Sequence, residues 1–279
     1  MIKKINIKAP AKINLGLRVL SKREDGFHNL HTLFYPIHDL YDKLIIELSD
    51  NFIFSSSKAI TDNITDNLAV RAKELLEKEF GRKLNIKINL EKIIPTGAGL
   101  GGGSSDAAAV LVSLNDMFDL KLSHKNLIEL ALTLGSDVPF FIRPKPAIGK
   151  SRGEILEFID FEINKYILIV NPGIHVSTKD AFQNITPKNE EIEYSNIITG
   201  NLDDYKGHLK NDFENYIFEV YPEIKNLKIF LYEHGAFFSS MSGTGSTIYG
   251  LFNNLEEAKN AKEKLPDKYF KFISIPEIR

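Results

Sequence analysis

The chain has 279 residues, 43% hydrophobic and 26% charged, with a formal net charge of −2. That size suits one large domain or two modest ones, and the charge lacks the basic excess that many phosphate contacts demand, so no nucleic-acid partner is expected. There is no cysteine, which excludes disulfides, thiol nucleophiles, iron–sulfur clusters and cysteine zinc sites. No apolar run of about 18 residues offers a membrane span, and Met1-Ile2-Lys3-Lys4 leads into no signal core. A cytoplasmic protein with no membrane association is the expectation.

In chain order, Ile5, Ile7 and Ala9 alternate with polar neighbours, residues 13–20 read as a second strand and 44–48 as a third. Within 67–80, Leu68, Ala72, Leu75, Leu76 and Phe80 fall at helical spacing, with Asp66 before them and Gly81 after. Ile86, Ile88 and Leu90 alternate with Lys87, Asn89 and Glu91; one wet face suits an antiparallel sheet. Residues 107–117 are apolar on nearly every side, which predicts a buried helix, and 123–134 predict another that closes on Gly135 as its C′ residue. The prolines and glycines of 144–153 mark the best boundary, dividing the chain into 1–153 and 154–279. Beyond it come a strand at 166–170, several helices between 177 and 234 and strands at 236–240 and 247–252. A helix at 255–265 and a last strand at 269–275 complete the order. Strands and helices segregate rather than alternate strictly, so the fold class is α+β.

The most informative stretch is Pro95-Thr96-Gly97-Ala98-Gly99-Leu100-Gly101-Gly102-Gly103-Ser104-Ser105-Asp106. Five glycines within 97–103 cost conformational entropy and add no packing. Their use is to let backbone N–H groups converge with no Cβ in the way. Ser104 or Ser105 can cap the helix that follows, and a glycine loop feeding a helix N-terminus binds anions, phosphate above all. Gly97, Gly99 and Gly102 formally satisfy G-x-G-x-x-G, but the preceding strand alternates where a dinucleotide-binding strand would be apolar throughout. No G-K-[ST] follows, so a Walker loop is excluded.

Three further clusters carry candidate chemistry. Lys12 and Asn14 share one face of an apolar strand, either as a solvated edge charge or as part of a site. Asp137 follows a helix C-terminus and precedes Phe140 and Phe141, where a carboxylate has poor local support; it is a turn aspartate held by backbone N–H groups, or it needs a cation, a metal or a chemical task. His28 and His31 stand at i, i+3 without a carboxylate that completes a metal set. Late in the chain, Met241-Ser242-Gly243-Thr244-Gly245-Ser246 reads alone as a hairpin of small residues.

Together these motifs are recognisable. The pattern P-x-G-A-G-L-G-G-G-S-S-D-A-A at 95–108 resembles the phosphate loop of the GHMP kinases. The resemblance is supported in order by A-P-A-K-I-N-L at 9–15, D-G-F-H at 25–28, D-N-L at 66–68, G-S-D-V-P-F-F at 135–141, V-S-T at 176–178 and M-S-G-T-G at 241–245. It implies a two-domain fold, ribosomal-protein-S5-like then ferredoxin-like, with the site in the cleft between the domains. The implied activity is ATP- and Mg²⁺-dependent phosphorylation of a small molecule, here a cytidyl diphosphate sugar alcohol. Lys12 and Asp137 match the catalytic pair, with Asp137 the proton acceptor. Residues Pro95 to Ser105 match the ATP cradle, and Asn67 lies in the segment that meets the adenine. Phe27, His28 and Phe182 match positions that hold the cytosine, with Asn14 and Thr178 nearby on the substrate side.

The chain departs from the family pattern in small ways. Phe27 stands where tyrosine is usual, so a hydroxyl is lost while stacking is kept. Ser136 replaces a common alanine, and Lys150-Ser151-Arg152 makes one turn more basic than the family pattern explains.

Overall fold

Two long strands open the chain. The alternation at Ile5, Ile7 and Ala9 and the apolar stretch at 13–20, expected as separate strands, run together as β1 (Lys4–Lys22), buried without a break from Ala9 to Leu17. The expected strand at 44–48 is only the end of β2 (His28–Leu48), whose earlier part carries histidines and acids that hide its period. Residues 2–58, 63–194, 197 and 208–276 of this computed structural model are described. They form two units interleaved along the sequence, not divided at one point. β1 and β2 each have one half in either unit, so a boundary search by composition has no single place to find.

The first unit comprises Met1–Ala11, Pro36–Thr96 and Gly101–Pro144. Here β4 (Ile86–Glu91) pairs antiparallel with Lys43–Leu48 of β2 and parallel with β3 (Ile53–Ser56). Its wet face is as expected, but the sheet is mixed. The helices of this unit are α1 (Leu68–Phe80), α2 (Gly102–Met117), α3 (His124–Leu134) and the short α4 (Val138–Ile142), which pack on one another. The α1 cap is Asn67 and not Asp66: its side-chain oxygen accepts the Ala69 N–H at 2.9 Å, and Gly81 ends the helix at φ +60°. A Ser123–Asn126 capping box starts α3. Gly135 follows α3 at φ 168°, extended backbone and not the left-handed C′ expected, because the chain turns at once toward α4 through a Val138 N–H to Gly135 C=O bond.

The second unit comprises Lys12–Tyr35, Gly97–Leu100 and Lys145–Arg279. Leu30–Phe34 of β2 pairs antiparallel with β5 (Ala147–Ser151), which pairs with β6 (Ile155–Phe158). A second sheet joins β7 (Tyr166–Asn171), β8 (Phe238–Met241), β9 (Ile248–Phe252) and β10 (Phe270–Ser274) in the order β10-β7-β9-β8, all antiparallel. Between β7 and β8 lie α5 (Thr178–Gln183), α6 (Glu214–Val220) and α7 (Pro222–Glu233); α8 (Leu255–Lys264) joins β9 to β10. This is the ferredoxin-like order of strands and helices. Of the helices expected between 177 and 234, residues 195–196 and 198–207 lie outside the described residues. Phe213, Ile217, Leu227 and Leu231 pack on Leu168, Val170, Ile248 and Phe252, and Leu17 and Val19 of β1 join this core.

Leu17 is also tied by backbone: its N–H bonds the Lys210 carbonyl and its carbonyl takes the Asp212 N–H, each at 2.9 Å. The Val19 N–H reaches Asp212 Oδ2 at 2.9 Å. Among the described residues, no helix is long and apolar enough to cross a membrane.

Candidate functional site

The glycine loop has the backbone its composition predicts. Gly97, Gly99 and Gly101 take φ of +62°, +75° and +71°, a region costly for any residue with a Cβ. A Cβ on Gly99 would lie 2.0 Å from the Ser242 carbonyl oxygen. The helix that follows starts at Gly102 rather than near Ala107, and Gly101 is its N-cap with no side-chain capping bond. Ser104 and Ser105, expected as caps, instead lie inside the first turns. A glycine cap turns the chain without filling the helix end, so first-turn N–H groups stay open to an outside anion. Ser105 Oγ is buried and has no hydrogen-bond partner.

Beneath the start of α2 lies a buried ionic cluster that no sequence motif announced. Lys92 Nζ bonds Asp42 Oδ2 and, at 2.9 Å, Asp106 Oδ2. Asp42 Oδ1 accepts the Ile93 and Ile94 N–H groups at 2.6 and 2.8 Å. Burial, reinforced by the nearby Asp42 and opposed by Lys92, pushes Asp106 up to about 7.

Lys12 is 3% exposed, which removes the solvated-edge alternative. Its Nζ donates to Asn14 Oδ1 at 2.6 Å, Asn14 Nδ2 to Thr32 Oγ1 at 2.9 Å, and Thr32 Oγ1 to the Gly16 carbonyl at 2.6 Å. The Lys12 N–H donates to Leu100 C=O at 2.9 Å, leaving the strand ladder to hold the loop. Ser242 Oγ donates to Gly99 C=O at 2.8 Å, and the Asn14 N–H reaches Ser242 Oγ at 3.3 Å. The hairpin of small residues at 241–246 is therefore a fastening for the loop. It is shaped from outside by Asn211, whose Nδ2 donates to the Met241 and Gly243 carbonyls, both at 2.8 Å, while its Oδ1 accepts the Phe213 N–H.

In the second unit, His28 stacks on Phe182 with centroids 5.1 Å apart, and Phe182 meets Phe213 edge-on at 4.8 Å. Burial, with help from Lys22, lowers the His28 pKa below the usual histidine value; a neutral imidazole offers one donor and one acceptor. The Thr178 hydroxyl lies 3.3 Å from that of Thr244. Phe27 is placed differently: it is 44% exposed and its ring carries the Arg152 guanidinium. His31 is buried, with Nδ1 accepting the Ile192 N–H at 3.1 Å. Among the described residues, no group of three or more His, Cys, Asp or Glu could hold a metal ion.

In the first unit, Asp137 is half-buried at φ −84°, ψ −16°, directly before α4, and its side chain makes no capping bond to that helix. Asn67 is occupied as the α1 cap through its Oδ1.

Comparison with known proteins fits this arrangement. The family model for the GHMP kinases N terminal domain matches residues 67–145, and that for the GHMP kinases C terminal matches 195–271. A 4-diphosphocytidyl-2-C-methyl-D-erythritol kinase of Bacteroides thetaiotaomicron is 46% identical over 248 residues, covering 87% of this chain and 90% of its own. One of Chlorobium limicola is 38% identical over 274 residues, covering 96% and 95%. The crystal structure of a 4-(cytidine 5′-diphospho)-2C-methyl-D-erythritol kinase superposes with a TM-score of 0.82 at 34% identity, covering 96% of this chain and 98% of its own. A homoserine kinase from Cytophaga hutchinsonii, 20% identical with a TM-score of 0.70 and coverage of 99% and 96%, shares the fold. The chain belongs to the GHMP kinases and, within them, to the 4-diphosphocytidyl-2-C-methyl-D-erythritol kinase family.

Proposed function

We propose that the chain transfers the γ-phosphoryl group of ATP to the 2-hydroxyl of 4-diphosphocytidyl-2-C-methyl-D-erythritol. The products are the 2-phosphate and ADP, in the non-mevalonate route to isoprenoid precursors. The observation that carries this reading is the glycine loop at positive φ opening an uncapped buried helix, in a chain 46% identical to a kinase of that name. The reaction runs in the cytoplasm between small soluble substrates, with no role for nucleic acid or membrane.

Backbone N–H groups of Gly97 to Gly103 hold the nucleotide phosphates, and Pro95, Thr96 and Asn67 border the nucleotide. Asp137 accepts the proton of the acceptor hydroxyl as its oxygen bonds the γ-phosphorus and the bond to the ADP oxygen breaks. Lys12, already buried and oriented by Asn14, offsets the charge that develops during transfer. Ser104 or Ser105 would touch Mg²⁺, and the partnerless buried Ser105 Oγ fits that task. The ion would supply neutralisation of phosphate charge. His28 and Phe182, with Phe27, take the cytosine, and Thr178 and Asn14 flank the acceptor. Remote binding of the base thus orients the reacting hydroxyl.

A coupled ADP-release assay tests the reading, with the cytidyl acceptor set against homoserine, mevalonate and galactose. Turnover only with the cytidyl compound is expected. Turnover of another acceptor in its place would overturn it.

A further inference from the structure

Two departures from the family pattern, the basic turn at 150–152 and the missing hydroxyl at Phe27, meet in space. The Arg152 guanidinium carbon lies 3.6 Å from the centroid of the Phe27 ring. Phe27 nevertheless stays 44% exposed, so the guanidinium covers only part of it. Both turns are braced. Asp25 Oδ1 accepts the Phe27 N–H at 3.1 Å, and Arg23 donates to Asp25 from Nε at 3.1 Å and Nη2 at 2.8 Å. Arg23 Nη1 also donates to Ser151 Oγ at 2.8 Å, and Ser151 Oγ donates to Glu154 Oε1 at 3.0 Å. Ser151 at φ +61° and Gly153 at φ +104°, with the Gly153 N–H returned to Lys150 C=O at 3.0 Å, make the tight turn that carries Arg152 onto the ring.

We propose that Arg152 is a positioning residue for the cytosine site: stacked on one face of Phe27, it holds that ring so that its other face receives the base. This rests on the reading of Phe27 as a cytosine-stacking ring. A half-exposed phenylalanine without support samples several rotamers, and fixing it would be charged against substrate binding. A guanidinium stack settles the ring before the substrate arrives and replaces the anchor that a hydroxyl could have given. The planar group matters here, because an ammonium offers charge without a surface to stack.

The test is a double-mutant cycle on acceptor KM. Arg152→Ala should raise it about 2- to 5-fold, the scale of a cation–π contact at an exposed site. ATP KM, kcat and Tm should stay unchanged, and Arg152→Lys should fall between. Phe27→Ala should raise acceptor KM by itself, and Arg152→Ala should add nothing in that background. Equal effects of Arg152→Ala with and without the ring would mean that Arg152 touches the substrate directly, and the proposal falls. A lowered Tm with loss of both substrates would make the braced turns merely structural, which also overturns it. If Arg152→Ala is silent while Phe27→Ala is not, the proposal alone fails. If Phe27→Ala is itself silent, the cytosine reading of Phe27 fails and the proposal with it.

Discussion

In the proposed site the loop at 97–103 offers peptide N–H donors, whereas His28 and Phe182 offer rings. The loop is shaped by positive φ at its glycines and fastened by the hydroxyl of Ser242. The aromatic cluster is shaped by side chains resting on one another, His28 on Phe182 and Phe182 on Phe213. A phosphate presents the same oxygens on every nucleotide, so backbone suffices and residue identity matters only where a Cβ must be absent. A base edge differs from another by a donor or an acceptor, and reading it takes placed polar and aromatic groups. Hence the loop admits little but glycine where a Cβ would meet backbone, as at Gly99, while an aromatic site asks for side chains of particular shape and polarity.

The largest effect expected lies outside both regions. Asp137→Asn should lower kcat by about 10²–10⁴-fold with both KM values near wild type. If steady-state kinetics show kcat intact in the folded variant, the proton acceptor must be sought elsewhere. The loop is tested by Gly99→Ala, which forces a Cβ to within 2.0 Å of a backbone oxygen at φ +75°. ATP KM should rise by about 100-fold while acceptor KM moves far less; an unchanged ATP KM would take the loop out of the site. Phe182→Ala is the opposite experiment. Acceptor affinity, measured by calorimetry, should weaken by about 1–3 kcal/mol with ATP affinity kept, and equal losses for both ligands would erase the contrast between the regions.

The smallest effect concerns the support of α2. Asp106 is held at about 7 in the fold by burial and ionises at an ordinary carboxylate pH once unfolded. The folded state therefore keeps a proton that the unfolded chain releases, and this group's contribution to stability declines as pH rises through that window to about 7. Asp106→Asn keeps the shape and removes the titration. The difference in Tm between about pH 5 and about pH 8 should shrink by a few degrees, and an unaltered difference would show that Asp106 does not titrate there.

The same contrast explains what was legible in the sequence. The loop stood out because clustered glycine has so few structural uses, yet the start of α2 did not. Glycine and serine are poor helix formers, and the helix at 107–117 was read from its apolar residues alone. Residues 5–9 and 13–20 read as two strands because the alternation at Ile5, Ile7 and Ala9 stops where β1 becomes buried throughout. Asn211 and the Lys92–Asp42–Asp106 cluster act through partners far along the chain, so no local spacing could reveal them. His28, Phe182 and Thr178 came from family resemblance, since single aromatic and hydroxyl residues have no period. Whether Lys12 was solvated or buried depended on Asn14, Thr32 and the loop closing over it, and spacing left that open.

The bonds that hold Leu17 and Val19 to residues 210–212 also set a timetable for biosynthesis. Val19 and Asp212 are 193 positions apart. At ribosomal rates of about 5–20 residues per second, the second emerges on the order of 10–40 s after the first. Throughout that interval Leu17 and Val19 lack the Asp212 bonds and the later members of their core, Phe213 and Ile217 among them. A translation product stopped before Asn211 never gains them, so the second half of β1 stays only partly covered.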